Sequence, residues 1–170
     1  MSHRGSAMAE VPMTLLRAPV DGSAQALEGW QGLRLRDGMH LALRSAAKPL
    51  WLDGVFDSRR VTTAKSTAHP FAGTRWKCVE VPGQSGLWRL VCQNEDDYCL
   101  GADAPDVRLE KSDPDHVLTG VQWLLYRRGD HLMLRSKSGD WLGCKRGTPF
   151  CAPLDDLDDV RHHWIPQVYW

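Results

Sequence analysis

No stretch of this chain holds eighteen consecutive apolar residues, which excludes a membrane-spanning helix from its sequence. It has no net charge either. Lys plus Arg and Asp plus Glu both number 21, so the whole molecule offers no field to draw in nucleic acid, an anionic membrane or a polyanion, and any such contact has to be a local patch. Also missing are a CxxC pair, GxSxG, HExxH, a glycine-rich phosphate loop and a Rossmann fingerprint. The sequence therefore nominates no catalytic residue, no cofactor site and no metal site, and a non-enzymatic protein is expected. The five cysteines, Cys78, Cys92, Cys99, Cys144 and Cys151, are odd in number and argue against a fully paired secretory framework. Reduced thiols in the cytoplasm fit them best, and the first thirty residues carry MTLLRAPV but no apolar run of signal-peptide length.

What is present is a chain of 170 residues, 42% hydrophobic, enough for one good core and short for two. The opening MSHRGSAMA is small and polar, in part the kind of sequence an expression leader carries, and is set aside from the fold. Residues 1–30 read as a lead-in whose order the sequence leaves open, and 31–170 as a single domain. Eight Trp against three Phe and three Tyr is a heavy load, easiest to place in a fold with repeated equivalent positions.

The chain does repeat itself. HLALRSAAKPLWLDG at 40–54 and HLMLRSKSGDWLG at 131–143 share their opening and their Trp-Leu close, and LWRLVCQNEDDYCLG at 87–101 has the same outline. Other landmarks keep step. Trp51, Tyr98 and Trp141 are separated by 47 and 43 residues; Leu41, Trp88 and Leu132 by 47 and 44; Val61, Val107 and Phe150 by 46 and 43; Trp76, Trp123 and Trp164 by 47 and 41. Each unit is thus about 45 residues with four short strands, at about 33–83, 84–128 and 129–170. Alternation turns Leu41, Leu43 and Ser45 inward, with Trp88, Leu90, Cys92 and Leu132, Leu134, Ser136 as their counterparts. His40, Ala42 and Arg44 then point outward. An all-β chain of three repeats of four short strands is the arithmetic of a pseudo-threefold β-trefoil, a six-stranded barrel capped by three hairpins. A propeller is the rival, and three blades are fewer than its usual four to eight.

RWKCVEV at 75–81, LWRLVCQNEDDYCLGAD at 87–103, VQWLLYRRGDHLMLRSKSGDWLGCKRGTPF at 121–150 and the closing HHWIPQVYW resemble the plant fascin-like, actin-cross-linking type of domain, a family of unknown function with a β-trefoil fold. The resemblance covers roughly 33–170 and implies a non-enzymatic protein-interaction domain with actin as its named partner. One trefoil would bundle filaments only by dimerising or by having two sites. The chain departs from the family at Cys99, where a Tyr-Leu pair would put Leu, and at PLDDLDDV, 153–160.

Two surfaces compete for function. Arg44 and Arg135 at equivalent outward positions, with Lys48, Lys137 and Arg146, could meet an acidic protein; the plainer reading is a solvated surface, since acidic residues are interleaved. Trp51, Tyr98 and Trp141, one position in three repeats, could be sugar-stacking platforms of a carbohydrate-binding trefoil, or simply aromatics packed over the barrel mouth. The Gln-x-Trp usual in ricin-type repeats is absent, and VQWLL at 121–125 comes nearest. Asp53, Asp103 and the cluster Asp155, Asp156, Asp158 and Asp159 read as solvated turns, lacking the Gly and distal Glu of an EF-hand loop. Of His162 and His163, neighbours on opposite faces of a strand, one is expected to cap the barrel and the other to meet water. Partner class, protein or glycan, is left open by the sequence, as is oligomeric state; nucleic acid is not expected.

Overall fold

The alternating runs become strands, and in chain order these are β1 (Met13–Leu15), β2 (Gln25–Ala26), β3 (Arg34–Leu35), β4 (His40–Ser45), β5 (Trp51–Val55), β6 (Arg60–Ala64), β7 (Trp76–Glu80), β8 (Leu87–Cys92), β9 (Tyr98–Asp103), β10 (Asp106–Lys111), β11 (Trp123–Arg128), β12 (His131–Ser136), β13 (Trp141–Lys145), β14 (Thr148–Ala152) and β15 (Trp164–Tyr169). They come from a computed structural model, which describes residues 13–15, 25–26, 34–68, 71–93, 98–111 and 119–169. Among the described residues the helical segments are single short 3₁₀ turns, such as Val160–His162.

Pairing closes a barrel. β4 pairs β7, β7 pairs β8, β8 pairs β11, β11 pairs β12, β12 pairs β15, and β15 returns to β4, every pair antiparallel. A ring of six strands has no free edge within it. The other strands form three hairpins, β5–β6, β9–β10 and β13–β14, each attached to the barrel strand before it. This is a β-trefoil, with quartets β4–β7, β8–β11 and β12–β15 following the three sequence units. Part of the lead-in joins the sheet, as β1 pairs β11 with Met13 opposite Arg128.

The inward triplets lie where alternation puts them. Leu41, Trp88 and Leu132, then Leu43, Leu90 and Leu134, then Ser45, Cys92 and Ser136 are all buried. Between them stand three equivalent indoles. Trp76, Trp123 and Trp164 are fully buried, and their Nε1–H groups donate to the carbonyls of Leu52, Leu100 and Leu142 at 3.2, 2.9 and 3.2 Å. Each indole ties a barrel strand to the hairpin of its own repeat while satisfying its polar edge.

The hairpins lock to one another in the same threefold way. Leu109 N–H donates to Arg59 O at 2.9 Å, Cys151 N–H to Pro105 O at 3.0 Å, and Thr63 Oγ1–H to Gly147 O at 2.6 Å. Thr63, Leu109 and Cys151 stand opposite Leu52, Leu100 and Leu142, so they are one position repeated.

That register corrects two landmark sets by one residue. Trp51 and Trp141 lie opposite Arg44 and Arg135, but in the second repeat the residue opposite Val91 is Cys99, not Tyr98. The counterpart of Val61 and Val107 is Pro149, opposite Cys144, not Phe150. Turn lengths between the first and second strands of the repeats differ, and a one-residue slip swaps the two faces of a strand. Accordingly Tyr98 packs against the main core, while Cys99 is buried in a smaller cluster with Val91 and Val121. Ala42, one of the outward positions, is nonetheless 0% exposed, and it lies opposite Gln167.

Candidate functional site on the third repeat

The three candidate aromatics have different surroundings. Tyr98 receives a hydrogen bond from the Arg59 guanidinium at 2.9 Å, and the same group covers its ring at 3.9 Å. It is a packed ring, not a free platform. Trp51 and Trp141 are both half-buried, each opposite an Ala (Ala64 and Ala152) and an Arg.

Trp141 has an aromatic neighbour of its own. Half-buried Tyr126 lies 5.6 Å away, tilted by 36°. Counting from the equivalent indoles, three residues beyond Trp123 is Tyr126, whereas three beyond Trp164 is Gln167 and three beyond Trp76 is Val79. The aromatic corner therefore forms where Trp141 of the third repeat meets Tyr126 of the second. Arg135, exposed, holds its guanidinium 5.8 Å over the Trp141 ring and reaches Gly139 O at 3.5 Å. The turn 137–140 closes the rim: Ser136 N–H donates to Asp140 O at 2.7 Å, Gly139 takes φ 111°, and the Ser136 and Ser138 hydroxyls bond to each other. An apolar ring face, a cation and a turn rich in hydroxyl and carbonyl groups meet there.

The basic residues divide into two groups. Lys137 reaches Gln84 Oε1 at 3.4 Å, and its backbone N–H donates to Gln122 O, so Arg135 and Lys137 belong to the third repeat where it meets the second. Lys48 lies instead near Cys144, and Arg146 precedes Gly147, whose neighbours are Leu50 and Thr63, so each of these two lies on the side where the third repeat touches the first. Arg44 is half-buried between Trp51 and Ile165.

The acidic residues order the chain. Asp103 pairs with Arg108 at 2.7 Å. In the 155–159 segment, Asp156 accepts from Asp158 N–H, Asp158 pairs with Arg128 at 2.8 Å, and Asp159 caps the 3₁₀ turn while binding the Arg161 guanidinium. That guanidinium holds the Asp159 carboxyl down to about 2. No group of three or more His, Cys, Asp or Glu side chains is placed to hold a metal among the described residues. Asp53 is not a solvated turn residue but a buried one, with its carboxyl pushed up by burial. Nor does either histidine of 162–163 meet water: both are buried, His162 against Leu142 O and the Phe150 ring, His163 against His131 and Leu157 O. Facing opposite ways, the two are covered from both sides because the 153–160 segment folds over the outer one.

All five cysteines are buried, and none is in a disulfide. Burial pushes Cys78 and Cys151 up to about 12, and raises Cys144 against the Ser45 hydroxyl, the Gly147 backbone and the Lys48 charge. Such thiols are poor nucleophiles.

No family model matches the chain, and no curated protein matches it in sequence. Solved structures do match in shape. Cry35Ab1 superposes with a TM-score of 0.69 at 8% identity over 80% of this chain, which spans 37% of that protein's length. The BEL β-trefoil gives 0.65 at 10% identity, covering 79% of this chain and 96% of its own. SeviL, solved bound to asialo-GM1 saccharide, gives 0.61 at 9% identity, covering 78% and 99%. At such identities the likeness establishes the fold alone.

Proposed function

We propose that the protein is a non-enzymatic binding module that recognises carbohydrate on its third repeat. The observation that carries this reading is the corner of Trp141 and Tyr126 under Arg135: a sugar's apolar face stacks on an indole, and its hydroxyls need the polar rim that the 137–140 turn supplies. The saccharide-bound trefoil among its structural neighbours supports the reading, as do thiols too basic to serve as nucleophiles. The cytoplasm is the proposed location, supported by five cysteines outside any disulfide.

A glycan array followed by tryptophan-fluorescence titration tests it. Binding should be lost in Trp141→Ala and kept in Trp51→Ala, both folded by circular dichroism. A blank array, or binding indifferent to Trp141, refutes the reading. No comparison bears on the fascin-like, actin-binding alternative, which rests on Arg44, Lys48, Arg135, Lys137 and Arg146 as a protein-binding surface. Co-sedimentation with filaments decides that alternative, since charge reversal at Arg44, Arg135 and Lys137 should abolish any pelleting.

A further inference from the structure

β12 and β15 close the barrel at Leu132 and Trp164, and the residues just before that pair, His131 and His163, face each other. Their Nδ1 atoms are 2.9 Å apart, with the rings edge-on at 5.1 Å and 87°. His131 is half-buried, and His163 is 7% exposed with its Nε2 at 2.7 Å from Leu157 O. A carbonyl only accepts, so His163 Nε2 carries a hydrogen. In neutral His163 the lone pair is then at Nδ1, and His131 Nδ1–H must donate into it. The basic nitrogen left to the pair is His131 Nε2.

This fixes how many protons the arrangement can hold. A first proton adds at His131 Nε2 and leaves both hydrogen bonds intact. A second has only His163 Nδ1 to bind, where the His131 N–H already points. Two N–H groups and two positive charges would then oppose each other across 2.9 Å.

We propose that His131 and His163 form an acid-operated latch on the 153–163 segment: with no proton or one added it holds that segment against the barrel, and with two it releases it. The segment carries Leu157 and Val160, the exposed large hydrophobics among the described residues, so the latch governs how an apolar loop is presented. The charged groups around the pair come from every side. Asp130 lies beside His131 in the β11–β12 turn and favours its proton. Arg128 stands opposite His131 in that hairpin and is ion-paired with Asp158 from the loop. Asp159 and Arg161 pair with each other, and His162 bonds Leu142 O. The first-repeat turn touches the site through Ala46 N–H, which donates to His163 O at 3.0 Å. Burial, then His163, push His131 below the ordinary value of 6.5. The Arg128–Asp158 pair binds neither proton and tethers the loop at Asp158, so release is a local opening around His163.

Imidazole NMR titration with hydrogen exchange on the full chain, between about pH 7.5 and 4.5, tests this. The two histidines should titrate in two separated steps. Amide protection over 155–163 should fall about tenfold or more across the second step, while the β8 and β11 amides hold. His131→Asn keeps a donor to His163 Nδ1 and cannot take a proton, so its 155–163 protection should stay flat with pH. Independent one-proton curves for the two rings overturn the latch, as does a His131→Asn profile matching the wild type. Should that variant not fold, the wild-type titration alone decides.

Discussion

Trp76, Trp123 and Trp164 each join two kinds of stabilisation in one side chain, a fully buried indole and a hydrogen bond to the carbonyl of Leu52, Leu100 or Leu142. Replacing any of them by Ala should cost about 3–5 kcal/mol from lost burial and the cavity left behind. Phe keeps most of the ring but removes that carbonyl's indole donor, for a loss of about 1–3 kcal/mol, least at Trp164, where His162 also bonds Leu142 O. Urea unfolding of the six variants checks this, and near-equal losses in the three Ala variants would show that the threefold repeat is energetic as well as geometric. These residues were legible in the sequence because a Trp that recurs once per repeat points to one equivalent place in a shared core. Which face an aromatic occupies was not legible. Tyr98 and Trp141 look alike in the sequence, yet one lies under Arg59 and the other in a surface corner, because face depends on turn-length parity. Nor could the sequence join His131 to His163, which meet only because the barrel closes.

Among the elements, the hairpins carry the most local strain. The β13–β14 turn is Arg146–Gly147, with φ of 54° and 80° and Lys145 opposite Thr148, the geometry of a tight two-residue turn that favours Asn-Gly. A side chain in the left-handed region costs roughly 1–2 kcal/mol, and Asn bears it better than Arg. Arg146→Asn should therefore stabilise the fold by about 1 kcal/mol. Gly147→Ala should do the reverse by about 1–2 kcal/mol, since φ 80° strains any side chain there even though its Cβ would only touch Leu50 at 3.4 Å. Shifts of the urea midpoint in opposite directions would bear this out. If Arg146→Asn also left ligand binding intact, the Lys48–Arg146 group would be separated from function. The four-strand unit itself was readable from Gly, Asp and Pro punctuation, while the 153–160 segment was not. As a run of aspartates it reads like open loop, and only the partners Arg128, Arg161 and His163 show that it is held down.

At the scale of the whole molecule, the threefold plan sets the pH range in which the protein is stable, because it buries three kinds of ionisable side chain. His131 and His162 are both pushed below 6.5, chiefly by burial, so as pH falls the unfolded chain takes up protons that the folded one resists. Their contribution to stability is present above 6.5 and is lost as pH falls through their folded values. Asp53 works against this on the acid side, because its raised carboxyl favours the folded state most below 3.8 and less as pH rises. Cys78 and Cys151 limit the alkaline side. Unfolded thiols ionise near 9.0 while the folded ones keep their protons to about 12, so stability present below 9.0 is lost progressively above it. Urea unfolding under reducing conditions, from about pH 5 to 10, should thus give a dome with its plateau between the histidine and thiol ranges. Cys78→Ala should flatten part of the alkaline limb, with Cys151 keeping the rest, and leave the acid limb unchanged. His131→Asn should flatten part of the acid limb and leave the alkaline one. Stability that rose steadily from neutral pH into the acid range would contradict the burial of both histidines, and the closed barrel and folded-over loop that bury them.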